Sequence, residues 1–408
     1  MDFSRARELF PATRQVAYLN TAAVGLAGTR LTETYARVLE TWTANGFDYV
    51  RGEAAATAAR AAVSRLIGAS VEDVALVPSV SAAAGLVAAQ FLPAGPGENL
   101  IVGEQEYSSN HFPWRQLAAR SYDIRLATFR DGGVLPDEVA RHADGGTRLI
   151  AVSAVQSATG HRTDLAAMSR IAHEHGALLF VDGSQSVGAL DVAEDTSLAD
   201  FMAFSDHKFL LNAGRGMGYL YIRRQRQPHL VPFGAGWRAG DDPFASFFGP
   251  RMVLSTTASR FDSSISWLAA IGDEVCLNLI NEIGPAEIYT RNRELADRLR
   301  FRLAERPDPT RPRTRRAQPH RRRASPARAP RRRGHAAADP RSGRGPPRGI
   351  RAIRRRLLQR RGRHRTRRPC ADLIHRAEQA SRAPTPPELP AGVRRATARR
   401  SFHGAYGC

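Results

Sequence analysis

The sequence predicts an α/β protein built on a mainly parallel sheet whose two faces are covered by helices. Between residues 60 and 225, seven short runs rich in Val, Ile and Leu alternate with segments of helical periodicity. Continuous apolar strands of this kind are typical of parallel sheets that are buried on both faces. Ligands of such sheets bind beyond the carboxyl ends of the strands, so the residues that follow each strand are the first candidates for a site.

Each predicted element is assigned from its own residues. The strand runs are 73–79, 99–104, 124–129, 148–155, 177–183, 200–205 and 218–224. Helical segments between them begin at Ser81, Pro136 and Leu165. Residues 266–304 carry apolar side chains at helical spacing, which predicts long helices there.

The charge of the 408-residue chain is distributed unevenly. Residues 1–300 hold 28 basic and 33 acidic side chains, whereas the remainder holds 32 arginines and 6 acids. The net charge of +21 therefore belongs to the last quarter of the chain. Arg, Pro and Gly crowd this segment from about residue 305, and without apolar periodicity it cannot form a packed core.

Two interpretations of residues 305–408 remain open. A disordered Arg-rich arm would bind nucleic acid or another polyanion. A shift of reading frame in GC-rich DNA yields the same Arg, Pro, Ala and Gly mixture. We favour the frame shift because the long helix runs into this segment with nothing left to pack against. Nucleic acid is accordingly not an expected partner.

The cysteines and the N-terminus bear on the compartment. Cys276, Cys370 and Cys408 are widely spaced and form no metal or redox pattern. The first residues contain no apolar signal core, and no run of 18 apolar residues occurs. We expect a cytoplasmic protein with reduced thiols, without a membrane span and without a metal.

Lys208 is the only lysine among 60 basic residues. In a GC-rich coding sequence most surface lysines become arginine, so a retained lysine is expected to need the primary amine that a guanidinium cannot supply. It follows an apolar strand in FSDHKFLLNAGRGMG, directly after Ser205 and His207. This position predicts a chemical role for its amine.

Other strand ends carry polar residues as well. Asp182 lies in VDGSQSVG at the end of one strand, and Gln185 follows it. The turn 79–81 begins a helix, where free N–H groups and the helix dipole favour a phosphate. Tyr107 follows the strand 99–104.

These residue types together fit pyridoxal phosphate. This cofactor needs an amine for a Schiff base, a carboxylate that keeps its pyridine nitrogen protonated, a flat side chain against its ring, and donors for its phosphate. A lysine that is desolvated beside a cationic ring is a nucleophile at neutral pH, because its pKa is lowered.

Residues 16–300 resemble the class V aminotransferase superfamily of fold-type I pyridoxal phosphate enzymes, which includes cysteine desulfurases, selenocysteine lyases, isopenicillin N epimerases and kynureninases. The similarity rests on YLNTAAVGL, VDGSQSVG, FSDHKFLLNAGRGMGYLYI and ASRFDSSISW. The resemblance implies a homodimer with shared active sites and a small C-terminal domain. We therefore divide the chain into an N-terminal segment (1–15), a cofactor-binding large domain (16–265) and helices leading to the small domain (266–304). A tail (305–408) stands in place of the small domain.

The resemblance also implies the role of each residue. Lys208 is the catalytic residue and forms the Schiff base, Asp182 pairs with the ring nitrogen, and Tyr107 stacks on the ring. The ring hydroxyl is approached by Gln185 and Ser157. The phosphate is bound by Ser79, Val80, Ser81, Ser205 and His207, and the phosphate of the other subunit's cofactor by Ser264. The substrate-binding candidates are Asn20, Arg238 and Arg400.

The implied activity is the transformation of an amino acid at its α- or β-carbon. Tyr107 stands where desulfurases usually stack a His, and no cysteine occupies a recognisable catalytic setting. Both features favour transamination, C–S lyase or epimerase chemistry over the alternative, a cysteine desulfurase or selenocysteine lyase. An alternative from another class is a nucleic-acid-binding protein that uses the Arg-rich tail.

Overall fold

A computed structural model describes residues 1–212 and 214–305 of the chain. Its nine strands are β1 (Val74–Val77), β2 (Asn99–Gly103), β3 (Asp123–Ala127), β4 (Phe129–Arg130), β5 (Gly133–Val134), β6 (Thr147–Ser153), β7 (Leu178–Asp182), β8 (Phe201–Ser205) and β9 (Gly218–Ile222). Seven of them form the central sheet and coincide with the seven predicted runs. The short pair β4–β5 was not predicted.

The central sheet is mainly parallel, which confirms the predicted fold class. Its strand order is β1-β9-β8-β7-β6-β2-β3. The strands from β8 to β3 in this order pair in parallel, whereas β9 is antiparallel to both of its neighbours. The connection 206–217 contains no crossover helix, and it returns the chain antiparallel to β8.

Ten α-helices surround the sheet in the part of the chain that the structure describes: α1 (Phe3–Glu8), α2 (Thr29–Asn45), α3 (Tyr49–Leu66), α4 (Val80–Ala88), α5 (Phe112–Arg115), α6 (Pro136–His142), α7 (Leu165–Glu174), α8 (Ala193–Leu198), α9 (Trp267–Ile283) and α10 (Pro285–Ala304). The helices predicted after β1, before β6 and after β6 are confirmed. The predicted helical region 266–304 contains two helices, which are separated at Gly284 with φ of 102°. No helix among these is long and apolar enough to cross a membrane.

Apolar side chains are buried on both faces of the sheet. One core contains Ile101, Val152 and Phe204 and includes residues of α3, α7 and α9, and the other contains Trp114 and Phe180 and includes residues of α4. Burial on two faces explains why the strands are continuous apolar runs rather than alternating ones.

Helices α3 and α9 pack closely, and their contact fixes the position of α9 beside the sheet. A Cβ on Gly52 of α3 would lie 2.6 Å from the ring of Trp267 at the start of α9. The same ring stacks on Phe47 with centroids 5.5 Å apart, and its Nε1 donates to Glu53 at 2.6 Å. Only glycine at position 52 permits this approach.

Candidate functional site

A cavity lies beyond the carboxyl ends of the parallel strands. It is lined by Pro78, Ser79, Val80, Tyr107, Ser109, Asp182, Ser184, Ser205, His207, Lys208 and Arg215. Seven of these eleven residues were predicted as site residues from the sequence. Their polar and charged side chains converge at the edge of the sheet where ligands of parallel sheets bind.

Lys208 is presented to the cavity by the connection that follows β8. The chain just before α2 closes against this connection, because the Gly25 N–H donates to the His207 carbonyl at 2.9 Å. A Cβ on Gly25 would lie 2.5 Å from the Lys208 carbonyl oxygen. The chain therefore requires glycine here to bring the two segments together.

The surroundings of Lys208 favour a neutral amine. Burial lowers the pKa of Lys208, the negative charge of Asp182 opposes this effect, and the positive charge of Arg215 adds to it. The Nζ atom lies 5.4 Å from the centroid of the Tyr107 ring. A less basic amine has a larger unprotonated fraction at neutral pH, which is the form that attacks a carbonyl carbon.

Asp182 ends β7 inside the cavity wall and is only 5% exposed. Its Oδ1 accepts the Ser184 N–H at 2.9 Å. Burial raises the pKa of Asp182, whereas the hydrogen bonds of Ser184 and the charge of Lys208 lower it in part. A buried carboxylate is stabilised by a cation beside it, and a protonated ring nitrogen would provide such a cation.

The N-terminus of α4 forms one side of the cavity. Ser79 caps this helix, and its Oγ accepts the Ala82 N–H at 3.2 Å and lies 3.0 Å from Ser81 Oγ. Ser205 and His207 are contributed to the same cavity by the end of β8. Hydroxyls at a helix N-terminus bind anions, because the free N–H groups and the helix dipole point at them.

Gln185 and Ser157 lie together beside the cavity. Gln185 Nε2 donates to Ser157 Oγ and to the Ala22 carbonyl, each at 3.1 Å. The amide of Gln185 thus connects the chain just before α2 with the loop after β6. The two residues are not among those that line the cavity, but they adjoin it through Ser184.

Comparison with known families identifies the group to which these residues belong. The family profile described as aminotransferase class-V matches residues 17–328. The chain belongs to the class V aminotransferase family. Enzymes of this family use pyridoxal phosphate, and the amine, carboxylate, aromatic ring and helix N-terminus of the cavity fit that cofactor.

Similar proteins within the class V aminotransferase family have different activities. A probable cysteine desulfurase of Methanothermobacter thermautotrophicus is 31% identical over 243 residues, 59% of either chain. Isopenicillin N epimerase of Streptomyces clavuligerus is 32% identical over 268 residues, 62% of this chain and 65% of the epimerase. The chain thus matches about three fifths of the length of these curated relatives.

A solved structure has the same fold. The apo structure of a cysteine desulfurase from Thermococcus onnurineus superposes with a TM-score of 0.62 at 25% sequence identity, covering 75% of this chain and 77% of the other. This likeness agrees with the α/β fold and the mainly parallel sheet of the present class V family member.

Two of the three substrate-binding candidates lie within the described residues, and neither is among the residues that line the cavity. Arg238 is buried and forms an ion pair with Glu53 of α3, while Asp262 lies 3.7 Å from its guanidinium. The contact of Arg238 with a substrate carboxylate stays a prediction. Asn20 is exposed and is not among the residues that line the cavity. Arg400 lies outside the described residues.

Ser264 does not line the cavity of its own chain. It is exposed, and the adjacent Ser263 N–H donates to the Leu76 carbonyl at 3.0 Å at the end of β1. The predicted contact of Ser264 with the cofactor of a second subunit stays a prediction.

Sequence reasoning missed four cavity-lining residues, which are Pro78, Ser109, Ser184 and Arg215. Ser184 and Arg215 lie inside the two motifs that were used, VDGSQSVG and GRGMG, so the motifs contained a usable signal. The structure also reveals Glu106, which is buried directly before Tyr107. Its oxygens accept the N–H and hydroxyl of Ser153 and the Asn110 amide, and burial raises the pKa of Glu106 to about 7.

Proposed function

We propose that this protein transforms an amino acid at its α- or β-carbon with Lys208 as the catalytic residue. The observation that carries the proposal is the convergence of Lys208, Asp182, Tyr107 and the N-terminus of α4 on one cavity. Transamination, C–S lyase and epimerase chemistry are the favoured reactions. The alternative is a cysteine desulfurase or selenocysteine lyase, and both a desulfurase and an epimerase are among the relatives.

When bound, pyridoxal phosphate supplies an aldehyde that joins amines and a ring that withdraws electrons from the substrate. Ser79, Val80, Ser81, Ser205 and His207 would hold its phosphate. Asp182 would keep the ring nitrogen protonated, Tyr107 would lie against the ring, and Gln185 with Ser157 would approach its hydroxyl. These assignments rest on the cavity and on the family motifs.

The chain's own residues account for the proton transfers. Lys208 serves as the attachment point of the cofactor, and its amine then removes the proton from the substrate Cα. Burial lowers the pKa of this amine, which favours the unprotonated form that accepts a proton. The carbon to which a proton returns decides between amino transfer and epimerisation.

The positions of the cysteines favour transamination, C–S lyase or epimerase chemistry over desulfurase chemistry. A desulfurase needs a reactive thiolate, but Cys276 is buried and burial raises the pKa of its thiol well above the usual range. Cys370 and Cys408 lie outside the described residues. Among residues 1–305, no other thiol is present to attack a substrate sulfur.

The decisive test uses the unique lysine. Purified protein supplied with pyridoxal phosphate should absorb at about 410–420 nm. Borohydride should then fix the cofactor to Lys208, and peptide mass mapping should find it there. Lys208→Ala should lose the adduct, and Lys208→Arg is the matched control because it keeps the positive charge. An adduct that persists in both variants, for example on the N-terminal amine, would contradict the proposal.

We further propose a homodimer in which Ser264 contacts the phosphate of the partner's cofactor, and a cytoplasmic location. The exposed position of Ser264 beside the end of β1 supports the homodimer. Light scattering should give about twice the 44.7 kDa chain mass. A monomer that is fully loaded with cofactor would contradict the shared site.

A further inference from the structure

A buried polar cluster lies behind the connection that carries Lys208. Asp273 of α9 accepts the Asn212 side-chain amide at 2.8 Å through Oδ1 and the Tyr219 hydroxyl at 2.6 Å through Oδ2. Asn212 Nδ2 also donates to the Ala269 carbonyl at 2.8 Å, and Asn212 Oδ1 accepts the Tyr35 hydroxyl at 2.9 Å. All polar atoms of the Asn212 side chain are thus held by α2 and α9.

The cluster is continuous with the backbone that presents Lys208. The Asn212 N–H donates to the Asp206 carbonyl at 3.2 Å, which closes the turn around Lys208. The Asp206 side chain accepts the N–H groups of Gly216 and Met217, at 3.3 and 3.1 Å, and lies 3.3 Å from the His207 ring. The beginning and end of the 206–217 connection are therefore tied to one another and, through Asn212, to Asp273.

We propose that Asp273 is a positioning residue for Lys208, because its carboxyl holds Asn212 and so fixes the connection that presents the amine to the cavity. This inference rests on the proposed role of Lys208 and adds a residue that does not touch the cavity. Asp273 acts through Asn212 alone, at a position where a neutral side chain of the same shape makes the same contacts.

The neutral form of Asp273 makes the same contacts as the charged form. Burial raises the pKa of Asp273 well above its usual range, and the negative charge of Asp206 raises it further. Both side chains are fully buried. A protonated Asp273 still accepts the Asn212 amide at Oδ1 and can donate its proton to the Tyr219 oxygen, so both contacts survive in the neutral form.

The other titratable groups around Asp273 do not neutralise a second negative charge. Tyr35 on α2, Tyr219 on β9 and Cys276 on α9 face it, and burial raises the pKa of each. Arg60 on α3 acts on Tyr219 at longer range and pairs with Asp262. An ionised Asp273 would therefore face the negative charge of Asp206 without a neutralising partner among these groups, and this repulsion disfavours the ionised form.

Two variants separate the position of the side chain from its charge. Asp273→Asn keeps the shape and both hydrogen-bonding positions but cannot ionise. Asp273→Ala removes the contact with Asn212. Glu274→Gln is the matched control on the next position of α9, where the side chain pairs with Arg51 at the surface.

The connection can be monitored directly, because Lys208 and Arg215 are trypsin sites within it. Full-length protein without cofactor is digested from pH 7 to 9, and cleavage after either residue is followed by mass. In the parent, in Glu274→Gln and in Asp273→Asn, this cleavage should stay slow, because each keeps a side chain at position 273 that holds Asn212. Asp273→Ala should be cleaved about tenfold faster than the parent at pH 7, since a buried hydrogen bond is lost.

Cofactor retention gives a second, independent measurement. Holoenzyme is desalted at each pH, and the bound pyridoxal phosphate is quantified by absorption. Asp273→Ala should retain less cofactor than the parent, whereas Asp273→Asn should retain it as the parent does, because the contact with Asn212 is lost only in the first variant. Cleavage of Asp273→Ala at the same rate as the parent would overturn the role of Asp273. A parent that binds no cofactor would contradict the proposed function, and the cleavage experiment would still test Asp273.

Discussion

Glu106 is expected to make the stability of the protein depend on pH in a way that one substitution removes. Burial raises the pKa of Glu106 to about 7 from the ordinary 4.5. An acid with a raised folded-state pKa contributes its full stability below about pH 4.5, and this stability is lost as the pH rises towards 7. The free energy of unfolding should fall by about 2.5 kcal/mol between pH 5 and pH 8 because of this group, at 1.36 kcal/mol per pH unit.

Glu106→Gln removes the titration and keeps most of the contacts. The amide oxygen can still accept the Ser153 N–H, whereas the bond from the Asn110 amide at 3.3 Å is lost. This loss costs about 1 kcal/mol at every pH. Relative to the parent, the variant should therefore gain about 2.5 kcal/mol from pH 5 to pH 8, or about 4 °C in Tm for a chain of this size.

Thermal unfolding of cofactor-free protein at pH 5, 6, 7 and 8 measures this effect. Glu104→Gln is the control, because Glu104 is exposed and the Phe129 N–H holds the pKa of its carboxyl below the usual value. Its charge is constant over this range, so the difference between control and parent should not change. A constant difference between Glu106→Gln and parent would refute the reasoning and place Glu106 in contact with water.

The remaining predictions concern the cavity and the boundary near residue 305. Asp182→Asn should keep the cofactor on Lys208 but lower kcat by about a hundredfold or more, measured with an amino acid that shifts the absorption of the bound cofactor; undiminished turnover would contradict its role. Gly25→Ala should displace the 206–217 connection and weaken cofactor retention, whereas Gly234→Ala, with nothing within 4 Å of the new Cβ, should not. Ser79→Ala should raise the Kd for pyridoxal phosphate and cost about 1 kcal/mol of stability as a lost cap. DNA sequencing across codon 305 should reveal a shifted frame, and an intact single frame would exclude it.

The sheet was predictable because its signal is local. The inner strands are continuous apolar runs, since burial on both faces demands apolar residues, whereas the edge strand β3 carries Asp123 and Arg125 and is largely exposed. The site followed from the same observation, because parallel strands place their carboxyl ends at one edge of the sheet. Lys208 and Asp182 end on that edge from neighbouring strands, although 26 residues separate them in sequence.

The contacts that the sequence did not reveal join distant segments. Arg238 lies in a glycine-rich loop and has the appearance of a free cation, but α3 supplies Glu53 from 185 residues away. Asp273 is 61 residues from Asn212 and looks like an ordinary polar residue of an amphipathic helix. Neither pairing can be predicted from the local sequence, because many acidic residues elsewhere in the chain could form the same contact.

Helix α10 supports the proposed boundary near residue 305. Leu295, Leu299 and Leu303 recur every four residues and lie on one face of the helix, and each is 44% to 59% exposed within the part of the chain described. An apolar row of this kind is normally covered by a further domain. The curated relatives extend well beyond the matched region, while the residues after 305 here are dominated by Arg, Pro and Ala. We propose that a change of frame accounts for both facts, because it leaves the helix face intact and replaces the residues that would cover it.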